Sequence, residues 1–466
     1  MRRVGPNAGA RRIRPRMPAA AQAAMGARTA AGGGKAALIV TVMIWTLVVL
    51  MIVPEGFDYQ RTTAMPTEGS LGSRLLWLSL LVFGLVGTLR RPPQTLALLR
   101  QVNPWLLVFG ALAALSVVWS IDPAVTIRRL IRVATIMMDA LALGLLGWRP
   151  TRFQDVLRPI YALMLIGSII FCLTSPALAV ETSKSFELVG AWHGLATQKN
   201  GLGALAGTGL LLWLHAWLAG ESRWWMVLVG AGVSATCLIM SRSSTSIMAA
   251  VFASILLLML LRSPPGLRRY MPYLIGIFVA TLLLYSLAVL NLVPGLAFVL
   301  KPISMVTGKD LTFSGRTAIW AIINEHIAYS PMLGSGYGAY WVGQVVTSPS
   351  YDVFRRLFFY PTEAHNGYLD IVNDLGLVGG ACLLAYVVKY LRQGLRLFAT
   401  VRSQGALYLA LLFQQMIANL SESRWFNVLN LEFVVMTIAT VSMGRLLLQQ
   451  QMERKARVRG MRVPVT

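Results

Sequence analysis

Residues 270–292 read YMPYLIGIFVATLLLYSLAVLNL, twenty-three positions without a charge. A helix needs about 20 apolar residues to cross the hydrocarbon core of a bilayer, and this run supplies them. Its opposite follows at once. Residues 293–368 form the long polar segment of the chain, holding Ser314-Gly315-Arg316, then Ser330-Pro331-Met332-Leu333-Gly334-Ser335-Gly336-Tyr337-Gly338, then Glu363-Ala364-His365-Asn366-Gly367-Tyr368. The contrast predicts an all-α fold: a polytopic membrane helix bundle that keeps one long loop outside. An arginine, a glycine-rich turn and a histidine on that loop point to chemistry on something held at the membrane surface.

The rest of the chain repeats the first pattern. Of 466 residues, 56% are hydrophobic and 13% charged, about half the charge of a soluble domain. Apolar blocks lie at 36–53, 75–89, 104–119, 126–146, 159–180, 202–218, 224–240, 247–261, 270–292, 369–390, 405–421 and 425–446, which predicts about 12 transmembrane helices. Several are shorter than a full span, and flanking Arg and Lys can snorkel to extend them. Cys172, Cys237 and Cys382 sit inside apolar blocks, with neither disulfide nor metal spacing.

The net charge of +24 is topological. With the N-terminus placed in the cytoplasm, inner segments carry 28 of the 42 Lys and Arg against three acids, while outer loops and span interiors carry 14 against 15. This is the positive-inside pattern, and it places both termini in the cytoplasm. The basic excess attracts anionic lipid and argues against nucleic acid as a partner.

The boundaries follow. Residues 1–35 read as a disordered basic cytoplasmic tail, 36–292 as spans one to nine, 293–368 as the long periplasmic loop with short amphipathic helices, 369–447 as the last three spans, and 448–466 as a second basic tail. The first apolar block runs 18 residues into Pro54 without a small-residue cleavage site, so it is expected to stay as a helix rather than leave as a signal peptide.

Within the long loop, Ile319, Trp320, Ile323 and Ile327 share one side of a helix predicted over 317–327, lying on the membrane or packed on the bundle. Ser314 is its expected N-cap and Pro331 its stop. Arg316 then stands in the first turn, where unpaired N–H groups and a guanidinium fork suit a phosphate; a headgroup-level surface arginine is the plainer reading. His365 precedes the tenth span, with Asn366 beside it and Asp370 one turn on; a neutral imidazole there can accept a hydroxyl proton, or simply be a satisfied interfacial histidine. Arg242, in Ser241-Arg242-Ser243-Ser244-Thr245-Ser246, sits at the outer mouth of two apolar helices, a costly position that is usually functional or paired. Lys199 and Arg128 are second-rank candidates for substrate contact. The turn with Tyr337, Tyr340 and Trp341 offers either a backbone cradle for phosphate or a sugar platform. The outer acids are scattered, which predicts no metal site and no cofactor.

Taken together, WSIDPAVTIRR (119–129), WHGLATQKNGLG (192–203), SRSSTS (241–246), SGRTAIW (314–320), SPMLGSGYGAYW (330–341) and AHNGYLDIVNDLGLVG (364–379) resemble the O-antigen ligase and Wzy-type polymerase superfamily, most of all its exopolysaccharide-polymerase (ExoQ-like) branch. The resemblance implies a GT-C-like, metal-independent, inverting glycosyltransferase of the bacterial inner membrane. It implies a glycan donor carried on undecaprenyl pyrophosphate at the periplasmic face, a lipid-linked or core glycan acceptor, membrane lipids around the chain and a chain-length regulator protein as a candidate partner. The family's two essential arginines and one histidine fall on Arg242, Arg316 and His365. The expected catalytic set is therefore His365, Arg316 and Arg242, with Lys199, Arg128, Asn366, Tyr337 and Trp341 as substrate-binding candidates.

The reading that results is a polysaccharide polymerase. A ligase of the same chemistry differs only in its acceptor. A lipid-oligosaccharide flippase or transporter is the alternative of another class, with Asp139 and Glu432 as the acids deepest in spans.

Overall fold

A computed structural model describes residues 19–59, 70–182, 189–289, 316–343 and 346–458. Among these the chain is helical, with no strand and one isolated bridge between Val180 and Trp192. The helices of seven or more residues are α1 (Ala19–Ile52), α2 (Leu71–Leu89), α3 (Pro92–Leu99), α4 (Pro104–Leu115), α5 (Pro123–Leu145), α6 (Arg152–Thr174), α7 (Lys199–Ala219), α8 (Trp224–Met240), α9 (Ser244–Arg262), α10 (Met271–Val289), α11 (Arg316–Tyr329), α12 (Tyr351–Leu357), α13 (Gly367–Thr400), α14 (Arg402–Ala418) and α15 (Leu431–Val458).

Each of the twelve apolar blocks lies on one of these helices, and starts follow local chemistry. Asn103 and Asp122 cap α4 and α5 through their side chains, each followed by a proline whose missing N–H costs nothing at a first turn. Among the described residues, seven helices are long and apolar enough to cross a membrane: the 34–52 part of α1, α2, α6, α7, α9, α13 and α15. An eighth span arises if α3 and α4, bent by 101° at their junction, count as one. The expected number was twelve. The difference lies in α5, which carries Arg128, Arg129, Arg132 and Asp139, in α8 and α14, of 17 residues each, and in α10, whose described apolar stretch is Met271–Leu282.

Two boundaries move. Residues 19–35 were expected in a disordered tail, but they continue α1, because the run AAAQAAMGARTAA is rich in the strongest helix former. The C-terminal tail is likewise helical through Val458. Residues 1–18 and 293–315, with the expected cap Ser314, lie outside the described residues.

Helix α14 is the pillar of the bundle. All of Gln404–Ala418 is buried, between α9 on one side and α13 on the other. Helices α2 and α5 pack as a pair at the flank, and α15 closes against α5 and α13. Polar groups gather at the two ends. At one end Arg158, His215, Glu221, Gln154 and Gln404 interlock. At the other, the starts of α7, α9, α11 and α13 meet the turn between α14 and α15. Helix α7, 21 residues and about 30 Å long, connects the two ends.

The described part of the polar segment folds onto the bundle. Helix α11 buries Ile319, Trp320, Ile322 and Ile323 against α13, and the Trp320 indole donates to the Ala364 carbonyl at 2.9 Å. Of the two placements left open for this helix, packing on the bundle is the one observed.

Candidate active site

The second polar end is built by one clamp. Asn366 caps α13, its side-chain oxygen accepting from the N–H groups of Tyr368 and Leu369 at 3.1 Å each. Gly367 follows because nothing larger fits: a Cβ there would stand 1.8 Å from Asn419 Oδ1. That oxygen accepts from the N–H groups of Arg424 and Trp425 at 2.8 and 2.7 Å. The 419–425 turn is thereby locked onto the start of α13, which carries Glu422 to His365.

Glu422 is the hub. Its Oε1 accepts from Asn200 Nδ2 at 2.6 Å and pairs with Arg316 Nη2 at 3.2 Å. Its Oε2 lies 3.8 Å from His365 Nδ1, and Glu363 Oε1 lies 3.3 Å from the same nitrogen. The histidine contacts have the geometry of ion pairs rather than aligned hydrogen bonds. Arg424 pairs with Glu432 and donates to the Asn200 carbonyl at 3.2 Å. Asn200 in turn accepts from Ser243 Oγ at 2.9 Å. His365 has φ +52°, a left-handed backbone rare for a non-glycine residue.

This cluster borders a cavity of about 300 Å³ lined by Glu363, Glu422, Arg424, Glu432, Asn200 and Trp341 among others. Burial opposes charge on the His365 imidazole, but Glu363 and Glu422 outweigh it and raise its pKa to about 10. Burial also pushes Glu363 above the ordinary carboxylate range, with the nearby Glu422 adding to it. Glu422 goes the other way despite its burial, drawn down by His365, Arg424 and Arg316. At neutral pH His365 is therefore a cation held between two acids. The carboxylate able to receive a proton and facing the cavity is Glu363.

The ligand atoms of Glu363, His365 and Glu422 lie within 4.8 Å of one another, a donor set that a divalent cation could use. An ion bound there would compete with Arg316 for Glu422.

The candidates from sequence separate into three groups. Trp341 lines the cavity, its indole donating to Asp370 at 2.8 Å, and His365 and Arg316 stand behind the lining residues Glu363 and Glu422 that they contact. Arg242 and Lys199 stand beside it. Ser243 next to Arg242 joins the network, but the exposed Arg242 guanidinium donates to the Val189 carbonyl at 2.7 Å, away from Glu422. Lys199 opens α7 between the lining residues Gln198 and Asn200. The third group is elsewhere. Asn366 spends its side chain on the helix cap and on the Leu420 carbonyl, and is 1% exposed. Tyr337 is buried in the core, its hydroxyl donating to the Phe426 carbonyl at 2.6 Å. Tyr340 and Trp341 are buried as well, and of the three expected sugar-platform residues Trp341 lines the cavity.

Arg128 lines a different cavity. The glycine turn does not present a phosphate cradle either: the N–H groups of Ser335, Gly336 and Gly338 donate to Asn373, Asp374 and the Asp374 carboxylate.

Glu363, Glu422, Arg424 and Glu432 were not singled out as site residues from sequence. A signal existed for two of them: Ser421-Glu422-Ser423-Arg424 puts two charges into a short turn between apolar blocks, which at membrane depth calls for an explanation. Of the two acids deepest in spans, Glu432 belongs to this site. Asp139 lies apart in α5, packed on Gly84, with both oxygens buried and lacking a hydrogen-bond partner.

The fold and site define a class: an integral membrane protein with a charged, partly enclosed cavity at one end of a helix bundle. The comparisons show what a chain of this class is similar to. Residues 229–384 match the family model for O-antigen ligase. The chain is 27% identical over 326 residues to the exopolysaccharide production protein ExoQ of Rhizobium meliloti, covering 66% of this chain and 70% of that one. It is 34% identical over 79 residues to a putative polysaccharide ligase of Rickettsia bellii, 17% of this chain and 19% of that one. The chain is similar to the O-antigen ligase family over residues 229–384 and to ExoQ over two-thirds of its length, the likeness that the sequence motifs implied.

Proposed function

We propose that the protein is a polysaccharide polymerase. It transfers a glycan from an undecaprenyl-pyrophosphate carrier to the non-reducing end of another lipid-linked repeat unit. The reaction is metal-independent and inverting, and it takes place on the periplasmic face of the bacterial inner membrane, with twelve spans and both termini in the cytoplasm. The observation that carries this reading is the meeting of Arg316 and His365 with Glu363 and Glu422, the two acids that line one cavity, at the end of the bundle opposite the basic loops.

The acceptor hydroxyl attacks the anomeric carbon, the bond from that carbon to the diphosphate oxygen breaks, and the diphosphate departs on its carrier. Arg316 and Arg242 hold the departing dianion. To do so Arg316 exchanges its contact with Glu422 for the diphosphate, and Arg242 leaves the Val189 carbonyl. Once turned onto the diphosphate, two such cations contribute several kcal/mol in a partly dry site. The hydroxyl proton needs an acceptor. The expected base was His365, but an imidazole already charged cannot take a proton. Glu363 receives it and His365⁺ holds Glu363 in place, so the two work as one base worth roughly 10²–10⁴ in rate. Lys199 and Trp341 flank the acceptor glycan.

A ligase would run the same steps on a different acceptor, and the likeness to the putative polysaccharide ligase of Rickettsia bellii favours it over a short segment. The ExoQ relative spans two-thirds of the chain and favours polymer production. Substituting Arg316 or Glu363 and sizing the polymer made in cells tests the reading. Undiminished long polymer at normal protein levels would remove it.

A further inference from the structure

A second cavity, of about 230 Å³, lies between α2 and α5 and is lined by Arg74, Arg128, Arg129 and Arg132. Among the described residues no carboxylate lines it. Glu55 stands outside the lining, its Oε1 accepting from the Ser70 N–H at 2.7 Å. The guanidiniums of Arg128, Arg129 and Arg132 around one small space repel each other, and an anion in their midst relieves that repulsion.

The arginines are positioned, not adrift. The Arg132 guanidinium lies 5.1 Å from the ring centre of Trp77. Arg129 donates to the Trp341 carbonyl at 3.3 Å. Its stem passes over Gly338, where a Cβ would come within 2.2 Å of Arg129 Cδ. The glycine turn thus makes room for an arginine, and that is the use the fold has for this part of the motif.

Apart from Ser73, the rest of the lining is apolar: Trp77, Leu78, Val125, Ile131 and Leu429. Around it α2 exposes Leu75, Leu76, Val82 and Phe83, and α5 exposes Ile127, a flank suited to acyl or isoprenoid chains. The space is small for an oligosaccharide and suited to one or two phosphate groups. Leu429 lines this cavity and the Glu363–Glu422 cavity alike, so the two share a wall.

We infer that the arginine cavity binds the phosphate or diphosphate headgroup of a membrane lipid. Resting on the polymerase reading above, we assign it to the carrier of the second, acceptor lipid, while the donor diphosphate lies at Arg316. Polymerisation brings two carrier diphosphates to one protein, and the fold has two cationic places for them, on either side of Leu429.

The test is native mass spectrometry on the full-length protein in lipid nanodiscs, titrated separately with undecaprenyl diphosphate, phosphatidylglycerol and inorganic pyrophosphate. The expected result is two equivalents of undecaprenyl diphosphate on the wild type. Arg128→Gln/Arg132→Gln should weaken one of them at least tenfold, and Arg316→Gln should weaken the other. If the double variant does not fold, the exposed Arg128→Gln alone should weaken binding about threefold. If phosphatidylglycerol fills the site equally well, the lipid-phosphate site stands and its assignment to the acceptor carrier falls. Equal binding of inorganic pyrophosphate, or undiminished carrier binding by the arginine variants, overturns the site itself. The outcome is separable from the catalytic reading: loss of one equivalent with Arg128→Gln, alongside normal polymer from Arg316→Gln cells, keeps the site and discards the reading.

Discussion

The two ends of the bundle each gather an arginine, a glutamate and a histidine, and they use them differently. At the Arg158 end, Glu221 pairs with Arg158 and accepts from Gln154 at 3.2 and 3.3 Å, and His215 spends Nε2 on the Ser403 hydroxyl at 2.8 Å. Arg158 and His215 lie on regular helix, and none of the three lines a cavity described here. At the Arg316 end, His365 sits at φ +52° between two acids whose side chains border open space. The first is a closed network that ties α6, α7 and α14 together. The second is held open, with cations that can exchange partners. The difference teaches that buried ions of the same types mark a site only where geometry leaves them something further to bind.

That contrast can be broken from either side. The largest expected effect is at the open end: Arg316→Ala should cut polymer formation by at least 10²-fold with little change in thermal stability, read by polymer sizing and a melting curve on the same preparation. Glu363→Gln should cost on the order of 10²-fold in rate. Because Glu363 titrates above the ordinary carboxylate range, the wild-type rate should fall on acidification sooner than an unperturbed glutamate would allow, and that acid limb should vanish in the variant.

At the closed end the signs reverse. Arg158→Ala leaves the partly buried Glu221 with its main charge partner gone, and should cost up to about 3 kcal/mol of stability. Activity per folded molecule should stay near normal. A selective loss of activity instead would mean that the two ends are coupled.

The smallest effect is in the pH dependence of stability. His365 has its pKa raised in the folded protein, to about 10 against an ordinary 6.5. Its ionic contribution is therefore complete below about 6.5 and is lost as pH rises through about 10. His365→Gln should flatten the melting temperature over that window.

Much of this was legible in the sequence. The apolar blocks gave the helices, because hydrophobic runs of that length have few other uses. Arg316 and His365 stood out because charge is rare in such a chain. What the sequence hid was pairing across distance. Glu422 is 106 positions from Arg316, and no local pattern joins them. Tyr337 and Asn366 misled because polar side chains near a site also cap and fill: one serves a buried carbonyl, the other a helix start. The glycine turn misled for a similar reason. Gly336 needs φ +97° and close passage over Ser120, which is packing rather than phosphate binding. Charged turns such as 421–424 were readable and undervalued.

The central claim is that the Arg316–Glu422–His365–Glu363 cluster transfers glycan from a lipid diphosphate. The most direct measurement incubates purified protein with undecaprenyl-diphosphate-linked repeat units, without nucleotide or added metal, and follows chain length by mass spectrometry. We predict products longer than one repeat, retained in EDTA and absent with Arg316→Ala or Glu363→Gln. Equal elongation by those folded variants, or repeats moved across a vesicle membrane without elongation, would contradict it.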